Sequence, residues 1–271
     1  MSSVGTAYYL YCLTPGECGI PASAIGVDGK PGVMIRACGG IGAVLSQVEL
    51  EEFCGESADA RLQDLAWLGP RVCRHEAVIE EVNSHVPVLP AGFATLFTSW
   101  DSFERFVLEH RDAVTGFFTE LGDQREWAVK GLLDRGRARQ VPGAPDGPAT
   151  DERAPAASPG ARYFEEKRIQ AKWEREFNLR LREFCRRAAA ALAEHAGSFR
   201  ERKLPAPVEA ETDAEVVLNW AFRVSPAALD EFRGRLARLN GGEAFSGLTL
   251  TLSGPWPPYS FVPHLSVGAK A

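Results

Sequence analysis

The sequence predicts an α+β protein with two domains, each an antiparallel sheet with helices on one face in a modified ferredoxin-like arrangement, plus a long amphipathic helix. Three observations support this prediction. Segments that alternate apolar and polar residues, as strands do, are interspersed with segments that repeat apolar residues at helical steps of three or four. A region rich in Pro and Gly divides the chain, and one helical pattern is far longer than the others.

The first strands are predicted from an aromatic-rich segment and a hairpin. Residues 7–13 are typical of a short strand that ends at the turn-forming Thr14-Pro15-Gly16. Residues 33–38 and 41–48 are typical of two strands joined at Gly39-Gly40, a dipeptide that fits tight hairpin turns. These three segments predict the centre of an antiparallel N-terminal sheet.

The next predicted helices lie on either side of Gly69-Pro70, a dipeptide that is expected to interrupt helical spacing. Proline fits the first turn of a helix, so the second of them is predicted to begin there. Residues 86–97 return to an extended pattern. A single helix at residues 99–118, capped by Ser99 or Asp101, is predicted to follow.

The domain boundary is predicted at residues 135–160, which are dense in Pro, Gly, Ala, Asp and Arg and lack periodicity. Such a segment cannot bury enough apolar surface to offset its ordering entropy, so a disordered insert is expected. The predicted domains are an N-terminal α+β domain at residues 1–134 and a C-terminal α+β domain at residues 161–271. A strand at residues 126–132 fits either sheet, and its pattern does not decide between them.

The longest periodic segment follows the insert and carries one apolar stripe between charged faces. A helix over residues 163–196 would be about 50 Å long at 1.5 Å per residue. Because that exceeds the width of a small domain, part of the helix is expected to extend beyond its sheet. Trp173 and Phe177 on the stripe are therefore candidates for partner contact, with packing in the core as the alternative.

The C-terminal domain is completed by two strands and a helix. Residues 216–224 alternate as a strand, a helix is predicted from Pro226, and residues 247–253 alternate again. The last strand is expected to end at Gly254 and Pro255, because glycine permits a bend and proline lacks the N–H of a ladder.

The tail beyond this strand carries three large aromatic side chains between prolines, which hold the backbone extended. Docking of such a segment loses little entropy, so the tail is expected to dock against protein. The three side chains either contact a partner or seal the edge of the C-terminal sheet. They are Trp256, Tyr259 and Phe261.

Composition excludes several classes of partner and setting. A net charge of −6 argues against nucleic acid, which favours a basic surface. No run reaches the ~20 apolar residues of a membrane helix, and no secretory signal is recognised at the N-terminus. The six cysteines are expected to be reduced thiols in a cytoplasmic protein.

Catalytic, cofactor and metal motifs are not recognised in the sequence. The five histidines form no His-x-x-x-His pair, and no Cys-x-x-Cys occurs, so a metal site is not expected. His110-Arg111-Asp112 copies the start of a kinase catalytic loop, but Phe117 stands where the magnesium-binding asparagine belongs. His75 is expected to lie at the surface or to be a hydrogen-bonded, partly buried residue. We predict a protein that is not an enzyme and that binds no cofactor.

The C-terminal segment also carries a family resemblance. Residues 254–262, Gly-Pro-Trp-Pro-Pro-Tyr-Ser-Phe-Val, preceded by an alternating strand, closely resemble the C-terminal signature of the gas vesicle protein F/L family. Segments at residues 8–13, 86–97, 127–130 and 217–224 resemble blocks of that family in the same order. The resemblance therefore spans nearly the whole chain.

This resemblance implies a non-enzymatic accessory protein that binds the hydrophobic major shell protein of the gas vesicle. It further implies a role in nucleating or assembling the shell, as a minor component on the gas-facing side. The hypothetical contact residues are Trp173, Phe177, Trp256, Tyr259 and Phe261. Two alternatives stay open: a scaffold for other gas vesicle accessory proteins, and a small-molecule enzyme on a ferredoxin-like fold.

Overall fold

The computed structural model describes residues 5–16, 19, 24–54, 58–139, 159–205, 214–242 and 244–266. The chain divides into two compact units, an N-terminal unit of Met1–Glu126 with Pro255–Ala271 and a C-terminal unit of Trp127–Gly254. This division differs from the predicted domain boundaries at residues 134 and 161. The chain passes into the C-terminal unit after Glu126 and returns to the N-terminal unit at Pro255. The tail therefore belongs to the N-terminal unit.

The N-terminal unit is built on an antiparallel sheet of order β2–β3–β1–β4, with β5 also paired to β1. The predicted hairpin is confirmed: Gly39 and Gly40 have φ of 58° and 83°, the left-handed conformations that a two-residue hairpin turn requires. The elements in chain order are β1 (Thr6–Thr14), β2 (Met34–Cys38), β3 (Ile41–Glu49), α1 (Leu50–Phe53), α2 (Ala58–Gln63), α3 (Leu65–His85), β4 (Leu89–Pro90), β5 (Leu96–Phe97), α4 (Trp100–Glu109) and α5 (Arg111–Leu121).

Helices cover both faces of this sheet, where the sequence predicts one covered face. On β3, Ala43 and Leu45 belong to an apolar cluster that includes α4 and α5. Val44 and Val48, which point to the opposite face, belong to a second cluster that includes α3. The strand is nearly continuous in apolar residues, the pattern of a strand buried on both faces.

Two helix breaks lie at positions other than those predicted. The chain breaks at Asp64, not at Gly69-Pro70, because the Asp64 carboxylate accepts a hydrogen bond from the Ala66 N–H (2.9 Å) and caps α3. Pro70 lies inside α3. The predicted single helix at residues 99–118 is two helices, α4 and α5, that meet at His110. Ser99 caps α4, as predicted.

The C-terminal unit has the predicted ferredoxin-like topology: strands and long helices follow each other as β6–α7–β7–β8–α8–β9, and the antiparallel sheet has the order β7–β8–β6–β9. The ambiguous strand at residues 126–132 is β6, inside this second sheet. The elements are β6 (Arg125–Asp134), α6 (Arg135–Ala138), α7 (Pro159–Ala193), β7 (Ser198–Glu201), β8 (Ala214–Val224), α8 (Leu229–Asn240) and β9 (Leu248–Trp256). The sequence did not predict β7.

One apolar cluster holds the C-terminal unit together. Alternate residues of β6 and β8, such as Val129 and Phe222, lie in it beside Phe184 and Leu192 of α7 and Phe232 of α8. Both helices therefore cover a single face of the sheet, as the sequence predicts.

The last strand is longer than predicted. β9 continues through Gly254 and Pro255 to Trp256. It is an end strand of its sheet, where a proline interrupts at most one ladder, and Gly254 has a φ of 130° that other residues rarely adopt.

The predicted insert at residues 135–160 is helical at both ends. Asp134 accepts a hydrogen bond from the Arg137 N–H (2.9 Å) and caps the short helix α6, and α7 begins at Pro159. The expected disorder falls on residues 140–158, which lie outside the described residues.

Among the described residues, no helix is both long and apolar enough to cross a membrane. Five cysteines are free thiols, and Cys18 lies outside the described residues. The five are Cys12, Cys38, Cys54, Cys73 and Cys185.

Candidate partner-binding surfaces

Two of the five predicted contact residues lie in the core of the C-terminal unit. Trp173 and Phe177 are 8% and 4% exposed, and their rings stack with centroids 5.0 Å apart. Phe245 meets Phe177 edge-on at 5.3 Å. Both residues therefore pack in the core in this structure, which is the alternative that the sequence left open. Contact of either residue with a partner stays a hypothesis.

A continuous exposed stretch of α7 precedes Trp173, where the sequence predicts no contact residue. Every residue from 163 to 172 is exposed, and we call this stretch the exposed segment. It presents Tyr163 (56% exposed), Phe164 (73%) and Ile169 (47%) to solvent. Ile169 lies four residues before Trp173 and so continues the apolar stripe of α7 past the point where the stripe is covered. This agrees with the expectation that part of the long helix extends beyond its sheet.

Charges of both signs surround these apolar side chains. Arg168 pairs with Glu165 at 2.7 Å, and the Lys167 ammonium lies 5.8 Å from the Tyr163 ring centroid. Such exposed pairs contribute little to stability, and their opposite signs leave no strong local field. Apolar contact is therefore the main attraction that the exposed segment offers to a partner.

The aromatic tail docks, as predicted, but on the N-terminal unit and not on the edge of the C-terminal sheet. The Tyr259 hydroxyl donates a hydrogen bond to the Glu76 carboxylate of α3, and the ring packs against the cluster that contains α3. Burial and the bond to Glu76 raise the Tyr259 pKa above its ordinary value. Phe261 is buried, and Val262 and Leu265 pack against the cluster that contains α4 and α5.

A buried carboxylate fixes the end of the tail. Glu126 is fully buried at the start of β6 and accepts two hydrogen bonds from Ser260. The Ser260 N–H donates to one carboxylate oxygen at 2.9 Å and the hydroxyl donates to the other at 2.7 Å. No sequence signal identifies this pair, because 134 residues separate its members.

Replacing Tyr259 by Phe tests the docking of the tail. The variant keeps the packed ring and removes the hydrogen bond to Glu76, a partly exposed carboxylate that water can then solvate. We expect the free energy of unfolding of the N-terminal unit to fall by about 1 kcal/mol. Urea unfolding with Tyr163→Phe as the matched control measures this. Equal losses in both variants would contradict the role of the Tyr259 hydroxyl.

Trp256 is the predicted contact residue with the most exposed side chain, at 38%. Together with Pro255 and Pro257 it lines a pocket of about 310 Å³ in the N-terminal unit. The other lining residues are Glu80, Asn83 and Ser84 of α3 and Arg125 of β6.

A buried polar network lies elsewhere in the N-terminal unit, around His75. Since the Ala91 carbonyl only accepts, the His75 Nε2–H donates to it (3.2 Å), and Nδ1 accepts from the Tyr9 hydroxyl (3.0 Å). That hydroxyl accepts in turn from the Ala94 N–H (3.2 Å). His75 is therefore hydrogen-bonded, as one of the two expectations has it, but it is fully buried and not partly buried. Its bonds hold the segment before β5 in place.

Within the part of the chain that the structure describes, no group of three or more His, Cys, Asp or Glu side chains could hold a metal ion. A role in binding therefore rests on the exposed segment and on the tail with the pocket beside Trp256.

Comparison with known proteins identifies the family. A family model described as gas vesicle synthesis protein GvpL/GvpF matches residues 7–263. Gas vesicle protein L of Streptomyces sp. (strain CB03234) is 28% identical over 255 residues, covering 93% of this chain and 91% of the relative. Gas vesicle protein L1 of Halobacterium salinarum is 21% identical over 272 residues, covering 97% and 92%.

Solved structures show the same fold. The crystal structure of GvpF from Anabaena sp. PCC7120 superposes with a TM-score of 0.65 at 16% identity, covering 96% of this chain and 97% of that one. GvpF from Microcystis aeruginosa gives 0.63 at 18% identity, covering 97% and 100%. Because the family model spans nearly the whole chain, the chain belongs to the gas vesicle synthesis protein GvpL/GvpF family and has an accessory role in gas vesicles.

Proposed function

We propose that this protein binds the major shell protein of the gas vesicle and supports nucleation or assembly of the shell, on its gas-facing side. It does so by presenting apolar surface and transforms no substrate. The observation that carries the proposal is the exposed segment, where Tyr163, Phe164 and Ile169 stand uncovered on a helix.

The chemistry of the two partners is complementary. A subunit that builds a gas-tight wall must expose apolar surface before it assembles, and such surface associates with apolar patches on other proteins. The exposed segment supplies such side chains on a helix whose later turns are anchored in the core by Trp173 and Phe177. A helix that is already ordered loses less entropy on binding than a flexible loop would.

The proposal is tested by copurification of tagged protein with coexpressed shell protein. The variant Tyr163→Ser, Phe164→Ser, Ile169→Ser is expected to reduce the captured shell protein at least about tenfold, because aromatic and aliphatic anchors dominate interface energies. Its thermal unfolding is expected to match wild type, since these side chains lie outside the core.

A matched control removes the same number of exposed apolar side chains from the N-terminal unit. The triple variant Ile25→Ser, Leu65→Ser, Leu108→Ser alters residues that are 45%, 80% and 58% exposed, and capture is expected to stay within about twofold. Equal capture by wild type and the α7 variant would contradict the proposal. Capture of other gas vesicle accessory proteins without shell protein would instead support a scaffold.

A further inference from the structure

We propose that the pocket lined by Asn83 and Trp256 binds an extended peptide segment of a partner protein by its main chain. The pocket lies within the N-terminal unit and measures about 310 Å³, the lower end of the range for ligand sites. It shares no residue with the exposed segment. Only the identity of the partner as the shell protein rests on the proposed function.

The side chain of Asn83 offers an amide to the pocket. It is 9% exposed, it lines the pocket, and its amide makes no hydrogen bond to any residue that the structure describes. The Asn83 amide atoms are not among the side-chain atoms that are shut off from solvent without a partner, so water in the pocket solvates them. An amide that faces a pocket without a partner can be satisfied by a group that enters the pocket.

The charges of the lining favour a neutral occupant. Glu80 supplies a carboxylate and Arg125 a guanidinium, and the two form no ion pair within the described residues. The hydrogen bond recorded for Arg125 is to the carbonyl of the adjacent Gln124 (3.2 Å). A small anion would be repelled by Glu80 and a small cation by Arg125. A peptide group is neutral and both donates and accepts, so it fits a lining that offers both.

A matching contact between an asparagine and an extended backbone occurs elsewhere in the same chain. The Asn240 amide oxygen accepts from the Leu250 N–H at 2.8 Å, and its NH₂ donates to the Leu250 carbonyl at 2.7 Å. This two-bond contact satisfies an extended backbone from one side. Asn83 carries the same group and can make the same pair of bonds to a segment that lies in the pocket.

An apolar wall bounds one side of the pocket. Pro255, Trp256 and Pro257 line the side of the pocket formed by the end of β9, and the two prolines restrict the backbone on either side of Trp256. An indole held in this way offers a large contact area to an apolar side chain at low entropic cost. The expected occupant is therefore an extended segment with an apolar side chain next to the bound peptide group.

The binding test uses a probe that needs no knowledge of the partner. Acetyl-Ala-Leu-Ala-methylamide is titrated to millimolar concentration while NMR follows the Asn83 side-chain NH₂ signals, assigned by their loss in Asn83→Leu. We expect these signals to shift on titration and the variant to bind at least about tenfold more weakly. Asn178→Leu, the same replacement at an exposed site, is the matched control and is expected to bind like wild type. No shift in the wild type would overturn the proposal.

Thermal unfolding distinguishes a binding role from a structural one. Because the Asn83 amide bonds to no other residue that the structure describes and is open to water in the pocket, Asn83→Leu is expected to keep Tm within about 2 °C of wild type, whereas replacing an amide that stabilises the fold would lower Tm by more. A lower Tm with unchanged peptide binding would overturn the proposal.

The partner is tested with overlapping 12-residue peptides of the shell protein. Peptides that bind wild type but not Asn83→Leu would support the pocket as a shell-protein site. Failure of wild type to capture intact shell protein would refute the proposed function and leave the tripeptide result standing.

Discussion

Replacing Phe177 by Ala is expected to lower the free energy of unfolding of the C-terminal unit by about 4 kcal/mol, whereas Phe164→Ala is expected to change it by less than about 0.5 kcal/mol. Both residues lie on α7. Phe177 is 4% exposed and packs between the rings of Trp173 and Phe245, so its truncation leaves a cavity. Phe164 is 73% exposed, and its truncation removes few contacts.

Hydrogen exchange of amides in β6 and β8 during urea titration measures this effect in the C-terminal unit alone. The same pair of variants separates packing from binding, because Phe164→Ala is expected to weaken capture of the shell protein while the unit stays folded. An unchanged unfolding midpoint for Phe177→Ala, combined with lost capture, would contradict the assignment of Phe177 to the core. It would instead support the hypothesis that Phe177 is a contact residue.

The apolar stripe of α7 shows what periodicity can and cannot predict. Steps of three and four identified the buried face, and Trp173, Phe177 and Phe184 lie on it. Periodicity does not show where along α7 the apolar stripe stops being buried, since Ile169 continues the same pattern and is exposed. That limit depends on the size of the sheet beneath the helix, which is set by strands far along the chain.

Local hydrogen bonds explain the misplaced helix boundaries. Gly69-Pro70 is the stronger interrupting signal in the sequence, yet Asp64 supplies a cap that satisfies a free N–H at the start of α3. At His110 the ring Nδ1–H donates to the Phe106 carbonyl at 2.9 Å, a bond that accompanies the end of α4. Bonds of this kind decide where a helix breaks among several candidate positions.

The residues on which the tail docks could not be predicted from the sequence, because the contacts are long-range. Proline and aromatic content predicted that the tail docks, but the docking partners Glu76 and Glu126 lie 183 and 134 residues away. No local pattern marks either glutamate. Asn83 is a similar case, because it follows the helical spacing of α3 and only the pocket beside it shows that its amide faces an opening.

The stability of the N-terminal unit is expected to fall by about 2 kcal/mol between pH 7 and pH 5 because of His75. Burial lowers the pKa of His75 from 6.5 to about 4, since the charged ring would lie among Tyr9, Tyr11 and Phe93 and out of water. At a pH between 6.5 and about 4, His75 binds a proton in the unfolded chain but not in the folded chain. Acidification therefore favours unfolding, and the full effect approaches about 3 kcal/mol below pH 4.

The variant His75→Phe isolates this contribution from that of the carboxylates. It keeps an aromatic ring in the cluster but loses the bonds to Tyr9 and Ala91, so it is expected to be less stable than wild type at pH 7. Because Phe does not titrate, the stability gap between the two proteins should narrow by about 2 kcal/mol at pH 5. Urea unfolding at both pH values measures the gap. A gap of the same size at pH 7 and pH 5 would mean that His75 is protonated in the folded protein and that its burial does not exclude the charge.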